Sequence, residues 1–291
     1  MIERLCIIGV GLIGGSLARR LRRERACGEI VGASRRAGHL ERALELGVID
    51  RFDTDVSRAV AGADMVVVCT PTRAMEDVFR AIAPSLASGA VLSDAGSVKQ
   101  TVIDAARRAF GQVPPSLVPA HPIAGTEHSG VEASFDSLFD GRRVIVTPGP
   151  ETDPDALARV VRMWERCGAV IDRMDPRHHD EVLAATSHLP HMLAYTLVEM
   201  LGQMQERREI FRYAAGGFRD FSRIASSDPQ MWHDICLDNR QALSEMIAAY
   251  RHSLDCLLEE VEKADGTVLL ERFARAKSIR DRYTAENDQG E

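Results

Sequence analysis

The sequence predicts an α/β protein: a doubly wound, mostly parallel sheet followed by an all-α domain. Three observations carry that expectation. Short β-rich runs alternate with helical patterns through the first 174 residues, strand-like runs stop after that point, and a Gly-x-Gly-x-x-Gly stretch closes the first run. Alternating strands and helices need crossover connections, which place helices on both faces of a parallel sheet. The chain accordingly divides into a sheet domain, 1–174, and a helical domain, 175–291.

The elements follow in order. RLCIIGV (4–10) is β-rich and ends in a glycine turn, and LIGGSLARRLRRE (12–24) reads as a helix with a basic outer face. EIVGAS (29–34), DMVVVCT (64–70), AVLSDA (90–95) and SLVPAH (116–121) repeat the strand pattern, with helical segments between them. RRVIVTP (142–148) and AVIDRM (169–174) are two later strands. Residues 178–204 are helical with a break near Pro190. SDPQMW (227–232) starts a helix, with Asp228 as N-cap and Pro229 at the first helical position. Leu243, Ile247, Tyr250, Leu254, Leu257 and Val261 then follow in alternating steps of four and three, one apolar stripe on one long helix. TAENDQGE (284–291) is a polar tail of the kind that frays.

Composition narrows the function classes. The 291 residues are 45% hydrophobic, enough for a sizeable core, and the net charge of −7 argues against nucleic acid or an anionic membrane as partner. No signal segment opens the chain, and no apolar run approaches the ~20 residues of a membrane span. The six cysteines contain no C-x-x-C pair, and Cys6 and Cys69 lie in apolar runs. This usage predicts a reducing cytoplasm, with neither disulfides nor a metal site.

GVGLIG (9–14) follows the first strand and opens a helix, the setting of a dinucleotide-binding, Rossmann-type turn. Gly9 permits the tight turn, Gly11 lets backbone approach a pyrophosphate, and Gly14 lets helix and strand pack closely. Leu12, Ile13 and Thr70, at the end of the run 64–70, join this cofactor side. NAD sites usually carry an acid about 20 residues on. Here that place reads Ser34-Arg35-Arg36, a hydroxyl and two guanidiniums suited to a 2′-phosphate, so NADP is favoured over NAD. Solvated surface arginines are the plainer alternative.

Ligands bind beyond the carboxyl ends of strands in such sheets. SDAGSVK (93–99) lies past one end and HPIAGTE (121–127) past the next. Pro122 biases His121 toward extended backbone at the strand tip, and Ser97 can reach it through space. A neutral imidazole takes a hydroxyl proton near pH 7, and a neighbouring serine can fix its tautomer. Arg219 and Arg223, spaced i, i+4, share a helix face and suit a dicarboxylate. His188 and His191 lack a third metal ligand and read as polar pocket residues, and Trp232 reads on composition as core.

GVGLIGGS, DAGSVK, HPIAGTEHSG, SHLPH and GGFRDFSRIASSDPQMW together resemble the prephenate/arogenate (cyclohexadienyl) dehydrogenase family, in consistent order from residue 1 to about 285. The resemblance implies a Rossmann domain, a helical domain that forms a homodimer, and NAD(P)-dependent oxidative decarboxylation of a cyclohexadienol in tyrosine biosynthesis. It gives His121 the ring hydroxyl, and gives Ser97 the orienting of His121 and the nicotinamide region. It places Thr126 and Glu127 in the pocket, His188 and His191 near the substrate side chain, and Arg223, with Arg219 nearby, at the departing carboxylate. Gly216, which a partner subunit can supply, and Trp232 complete the pocket.

Two alternatives stay open on the residues alone. A β-hydroxyacid or imine dehydrogenase also joins such a sheet to helices but usually uses a helical-domain lysine, and after residue 174 only Lys263 and Lys277 occur, far from the pocket motifs. A dinucleotide-sensing protein without turnover would not need Ser97 and His121 at strand tips. Whether a pyruvyl (prephenate) or alanyl (arogenate) side chain is accepted is not encoded in any single motif.

Overall fold

In a computed structural model, residues 1–126, 128–205 and 207–288 are described, with side chains through residue 284. The strands are β1 (Ile2–Ile8), β2 (Cys27–Ala33), β3 (Arg51–Asp53), β4 (Met65–Val68), β5 (Val91–Asp94), β6 (Leu117–Val118), β7 (Ala120–Pro122), β8 (Arg143–Val146) and β9 (Val170–Arg173). The first six form one parallel sheet in the order β3-β2-β1-β4-β5-β6. The order reverses at β1 and β4, which opens a crevice at their carboxyl ends.

Residue alternation explains the two covered faces. Leu5, Ile7, Met65 and Val67 point into one core with Phe139 and Trp164, while Cys6, Ile8, Val66 and Val68 point into the other with Met75 and Phe79. Strands buried on both sides read as continuous apolar runs, as the sequence does here. Helices α1 (Leu12–Arg23), α2 (Ala37–Glu45), α3 (Val56–Ala59), α4 (Met75–Ile82), α5 (Lys99–Phe110) and α6 (Pro154–Arg166) make the crossovers and later connections.

The run 116–121 is not one strand. β6 ends before Pro119, which has no N–H for a ladder, and β7 begins after it in a separate sheet of order β7-β8-β9. There β7 runs antiparallel to β8, with His121 opposite Ile145. His121 therefore stands within a short strand of a second sheet, just past the carboxyl end of β6 in the main one. The short β3, also absent from the sequence reading, carries a single aromatic among charges and gives little strand signal.

Helices α7 (Pro176–Leu183), α8 (Leu189–Gln203), α9 (Arg207–Arg212), α10 (Gly216–Ser222) and α11 (Pro229–Asp238) follow. The α-helix is interrupted just before Pro190: Ala184–His188, between α7 and α8, is a π turn, and Pro190 sits in the first turn of α8, where its missing N–H leaves no helical bond unmade. Asp228 caps α11 as expected, accepting from Met231 N at 2.9 Å.

By compactness the chain falls into the units Met1–Arg240 and Gln241–Glu291. The second is made of α12 (Arg240–Glu262) and α13 (Gly266–Asp288), so helix extends through much of the sequence read as a tail. Ile247, Tyr250, Leu254, Leu258 and Val261 of α12 are exposed. Among the described residues no helix is long and apolar enough to cross a membrane.

Candidate active site

The crevice at the carboxyl ends of β1, β2 and β4 holds a cavity of about 580 Å³ lined by Gly9, Gly11, Ser34, Arg35 and Thr70. Gly9 has φ +97°, and a Cβ there would sit 2.7 Å from the Cys69 carbonyl oxygen, so the turn admits only glycine. A Cβ on Gly14 would collide with the Gly9 carbonyl and the Ile7 side chain, which is the close helix–strand approach expected of it. Gly11 has open space before it, and no side chain caps the first turn of α1. That leaves helix N–H groups and a positive dipole end for an anion. Leu12, Ile13, Gly14 and Arg36 are not on the cavity wall, and Leu12 and Ile13 pack against the core.

Two further features fit a nucleotide. Thr70 Oγ1 is buried without a hydrogen-bond partner among the described residues, an arrangement a ligand polar group relieves. Val56, Ala74, Val78 and Ala81 give the cavity an apolar wall suited to a flat base. At its rim Arg35 is exposed and makes no ion pair among the described residues. Asp53, opposite Ala33 at the end of β2, is occupied by Arg58 at 2.8 and 2.9 Å.

The chemistry end is organised around His121. Its Nδ1 lies 2.9 Å from His179 Nε2, and His179 Nδ1 lies 2.8 Å from Asp180 Oδ1. Asp180 also accepts from Lys99 N (2.8 Å) and Gln100 N (2.9 Å), capping α5 and fixing its own carboxylate. A carboxylate accepts only, so His179 donates from Nδ1 and accepts at Nε2. His121 therefore donates from Nδ1, leaving its Nε2 lone pair free. Burial, reinforced by His179, Lys99 and His188, holds the His121 imidazole well below the ordinary histidine range, and burial lowers His179 against the pull of Asp180. Both rings are neutral near pH 7, as this chain of donors requires.

The partner expected for His121 was Ser97, but the Nδ1 bond goes to His179. The Ser97 hydroxyl, half-buried, has no hydrogen-bond partner among the described residues. His188 is buried and accepts at Nδ1 from Asn239 Nδ2 (3.1 Å), whose other hydrogen goes to the Asp180 carbonyl (2.7 Å). Its hydrogen then sits on Nε2, and burial lowers its pKa to about 4. His191 donates from Nδ1 to the Ser187 carbonyl (2.9 Å) and stacks on Trp232 at 3.8 Å. Trp232 packs with Val98 and Ile235, core as composition suggested, yet its buried Nε1 lacks a partner among the described residues.

Arg219 and Arg223 are exposed and make no ion pair among the described residues. The helix carrying Arg219 ends at Ser222, so Arg223 opens a 3₁₀ turn and does not continue the same α-helical face. Gly216 begins that helix with open space around it, and exposed Thr126 accepts from His128 N at 3.2 Å. Glu127 lies outside the described residues. Sequence reasoning missed His179, Asp180, Asn239, Asp94 and Lys99. The signals available were the HHD run at 178–180 and the charged ends of DAGSVK.

Comparison with known proteins agrees with this geometry. Residues 17–173 match the prephenate dehydrogenase nucleotide-binding domain and residues 175–275 the prephenate dehydrogenase dimerization domain. The chain is 38% identical to a cyclohexadienyl dehydrogenase of Zymomonas mobilis, over 99% of this chain and 98% of that one. It is 35% identical to a prephenate dehydrogenase of Bacillus subtilis, over 97% and 76% respectively. Among solved structures, a prephenate dehydrogenase from A. aeolicus in complex with hydroxyphenyl propionate and NAD+ superposes with a TM-score of 0.90 at 36% identity, covering 97% of this chain and 99% of that one. An arogenate dehydrogenase of Synechocystis superposes with a TM-score of 0.82 at 28% identity, covering 97% and 100%. A glycine turn that needs its glycines, an imidazole with a free nitrogen, and these matches across both halves place the chain in the prephenate dehydrogenase family.

Proposed function

We propose that this enzyme oxidatively decarboxylates prephenate, arogenate or both, with His121 taking the ring-hydroxyl proton on Nε2. The observation that carries the reading is the Asp180–His179–His121 chain, which leaves that nitrogen as the acceptor. When bound, the nicotinamide accepts the hydride. As His121 gains a proton, its Nδ1–H faces His179 Nε2, and Asp180 behind it stabilises the developing positive charge. The ring carboxylate leaves as carbon dioxide and the ring becomes aromatic, which supplies the driving force. The protein's contribution is positioning and electrostatics.

In this reading Gly9, Gly11 and the first turn of α1, at Leu12, Ile13 and Gly14, hold the pyrophosphate, and Thr70 and Ser97 lie along the cofactor. Ser34 and Arg35, with Arg36 nearby, favour NADP, since Arg35 is unpaired at the cavity rim and the neighbouring Asp53 is taken by Arg58. Arg219 and Arg223 bind substrate carboxylates, their lack of ion pairs leaving both guanidiniums available. His188 and His191 line the side-chain end with Trp232, Thr126, Glu127 and Gly216. The division between cofactor-holding and substrate-holding parts falls at residues 174/175, and the exposed apolar stripe of α12 joins two subunits. Assaying prephenate and arogenate, each with NAD and with NADP, by absorbance of the reduced cofactor tests this function; no turnover in any pairing overturns it.

A further inference from the structure

Lys99 and Asp94 are both fully buried and form an ion pair. Taking two charges out of water is costly, and apolar residues of similar volume often serve stability as well. The pair's surroundings point to another use. Asp94 Oδ1 accepts from Ala120 N at 3.1 Å, and Lys99 Nζ donates to the Ala120 carbonyl at 2.7 Å. The pair thus grips both sides of the residue before His121. Asp94 Oδ2 also accepts from Gly96 N at 2.7 Å, so both oxygens of this carboxyl group are engaged by N–H donors, with Lys99 Nζ beside Oδ2.

We propose that Asp94 and Lys99 are positioning residues for His121: they clamp the backbone that carries the imidazole, and the buried ammonium sets the field in which that ring holds or releases a proton. Among the described residues, these groups face the region. His179 and Asp180 come from α7, His188 from the π turn, and Cys69 follows β4. Burial pushes the Cys69 thiol up to about 12, so it is uncharged, and the three imidazoles are neutral near pH 7. Burial lowers the Lys99 pKa while the Asp94 carboxylate in contact with it pulls the other way, and the ammonium so held opposes protonation of His121.

The test compares wild type with Lys99→Met, Lys99→Arg and the double variant Asp94→Asn/Lys99→Met. The His121 ring is titrated by NMR in the free enzyme, and the acid limb of kcat is measured beside it. Removing the cation should raise the His121 midpoint by about one pH unit in Lys99→Met. The rise should be smaller in the double variant, where no carboxylate is stranded, and Lys99→Arg should stay near wild type. The acid limb should move with the ring. If Lys99→Met does not fold, the double variant, which buries no charge, carries the comparison. Folded variants that lower the melting temperature but leave the His121 midpoint unmoved would overturn the proposal. Its kinetic arm rests on His121 being the proton acceptor, whereas the ring titration does not. A parallel His121→Asn that keeps the acid limb would sink that reading alone.

Discussion

His179 Nε2 lies 2.9 Å from His121 Nδ1, and its other nitrogen lies 2.8 Å from the Asp180 carboxylate. One imidazole thus transmits the acceptor character of a carboxylate to the next and sets which nitrogen of His121 is free. Replacing His179 with asparagine should release the His121 tautomer and lower kcat by roughly 10- to 100-fold, within the range general-base catalysis contributes. KM should change little, because Arg219 and Arg223, proposed to bind the substrate carboxylates, are untouched. Steady-state kinetics on the folded variant checks this, and unchanged kcat would count against the chain.

The proposed preference for NADP rests on Arg35. Arg35→Ala should reduce kcat/KM with NADP by about tenfold, the effect of one charge-assisted contact, while NAD is little affected. Wild-type enzyme should use NADP with the higher kcat/KM. Equal loss with both cofactors in the variant would place Arg35 away from the 2′-position.

Acid should weaken the fold in a definite window. His188 is buried with its pKa lowered from 6.5 to about 4, so the unfolded chain binds that proton first as pH falls. Its contribution, about 3 kcal/mol, is fully present above pH 6.5 and is lost on descending to pH 4. His121 and His179 are shifted in the same direction and add to the loss. Urea denaturation at several pH values should show stability falling across this window, less steeply in His188→Gln. A flat profile would mean that the ring is not held neutral.

The α12 stripe gives a prediction about assembly. Leu254 is 46% exposed and Val261 56%, beside the exposed Ile247, Tyr250 and Leu258. A contiguous apolar row of this kind is normally covered. Light scattering at micromolar concentration should give twice the 32.0 kDa of one chain, and Leu254→Asp should yield monomer or aggregate. A monodisperse wild-type monomer would leave the stripe unexplained.

Much of this molecule was legible one residue at a time. The glycines at 9 and 14 declare their turn because a Cβ fits at neither, and the apolar runs declare a sheet covered on both faces. Asp228 and Pro229 declare a helix start. What stayed hidden depends on pairing across distance. His121 meets His179 from 58 residues away, and a histidine in a helical run carries no mark of its partner. Lys99 looks like an ordinary surface lysine until Asp94 and the Ala120 carbonyl are brought to it. The split at Pro119 was misread because SLVPAH has the composition of one strand, while the missing N–H sends its two halves into different sheets.

Whether His121 accepts the ring-hydroxyl proton is decided by His121→Asn. Asparagine keeps hydrogen-bonding capacity but cannot take a proton at neutral pH. The substitution should lower kcat roughly 10²–10⁴-fold with KM little changed. The wild-type acid limb, lying below the ordinary histidine range because burial disfavours the charged ring, should disappear in the variant. A correctly folded His121→Asn enzyme that keeps most of the wild-type kcat and the same acid limb would contradict that role.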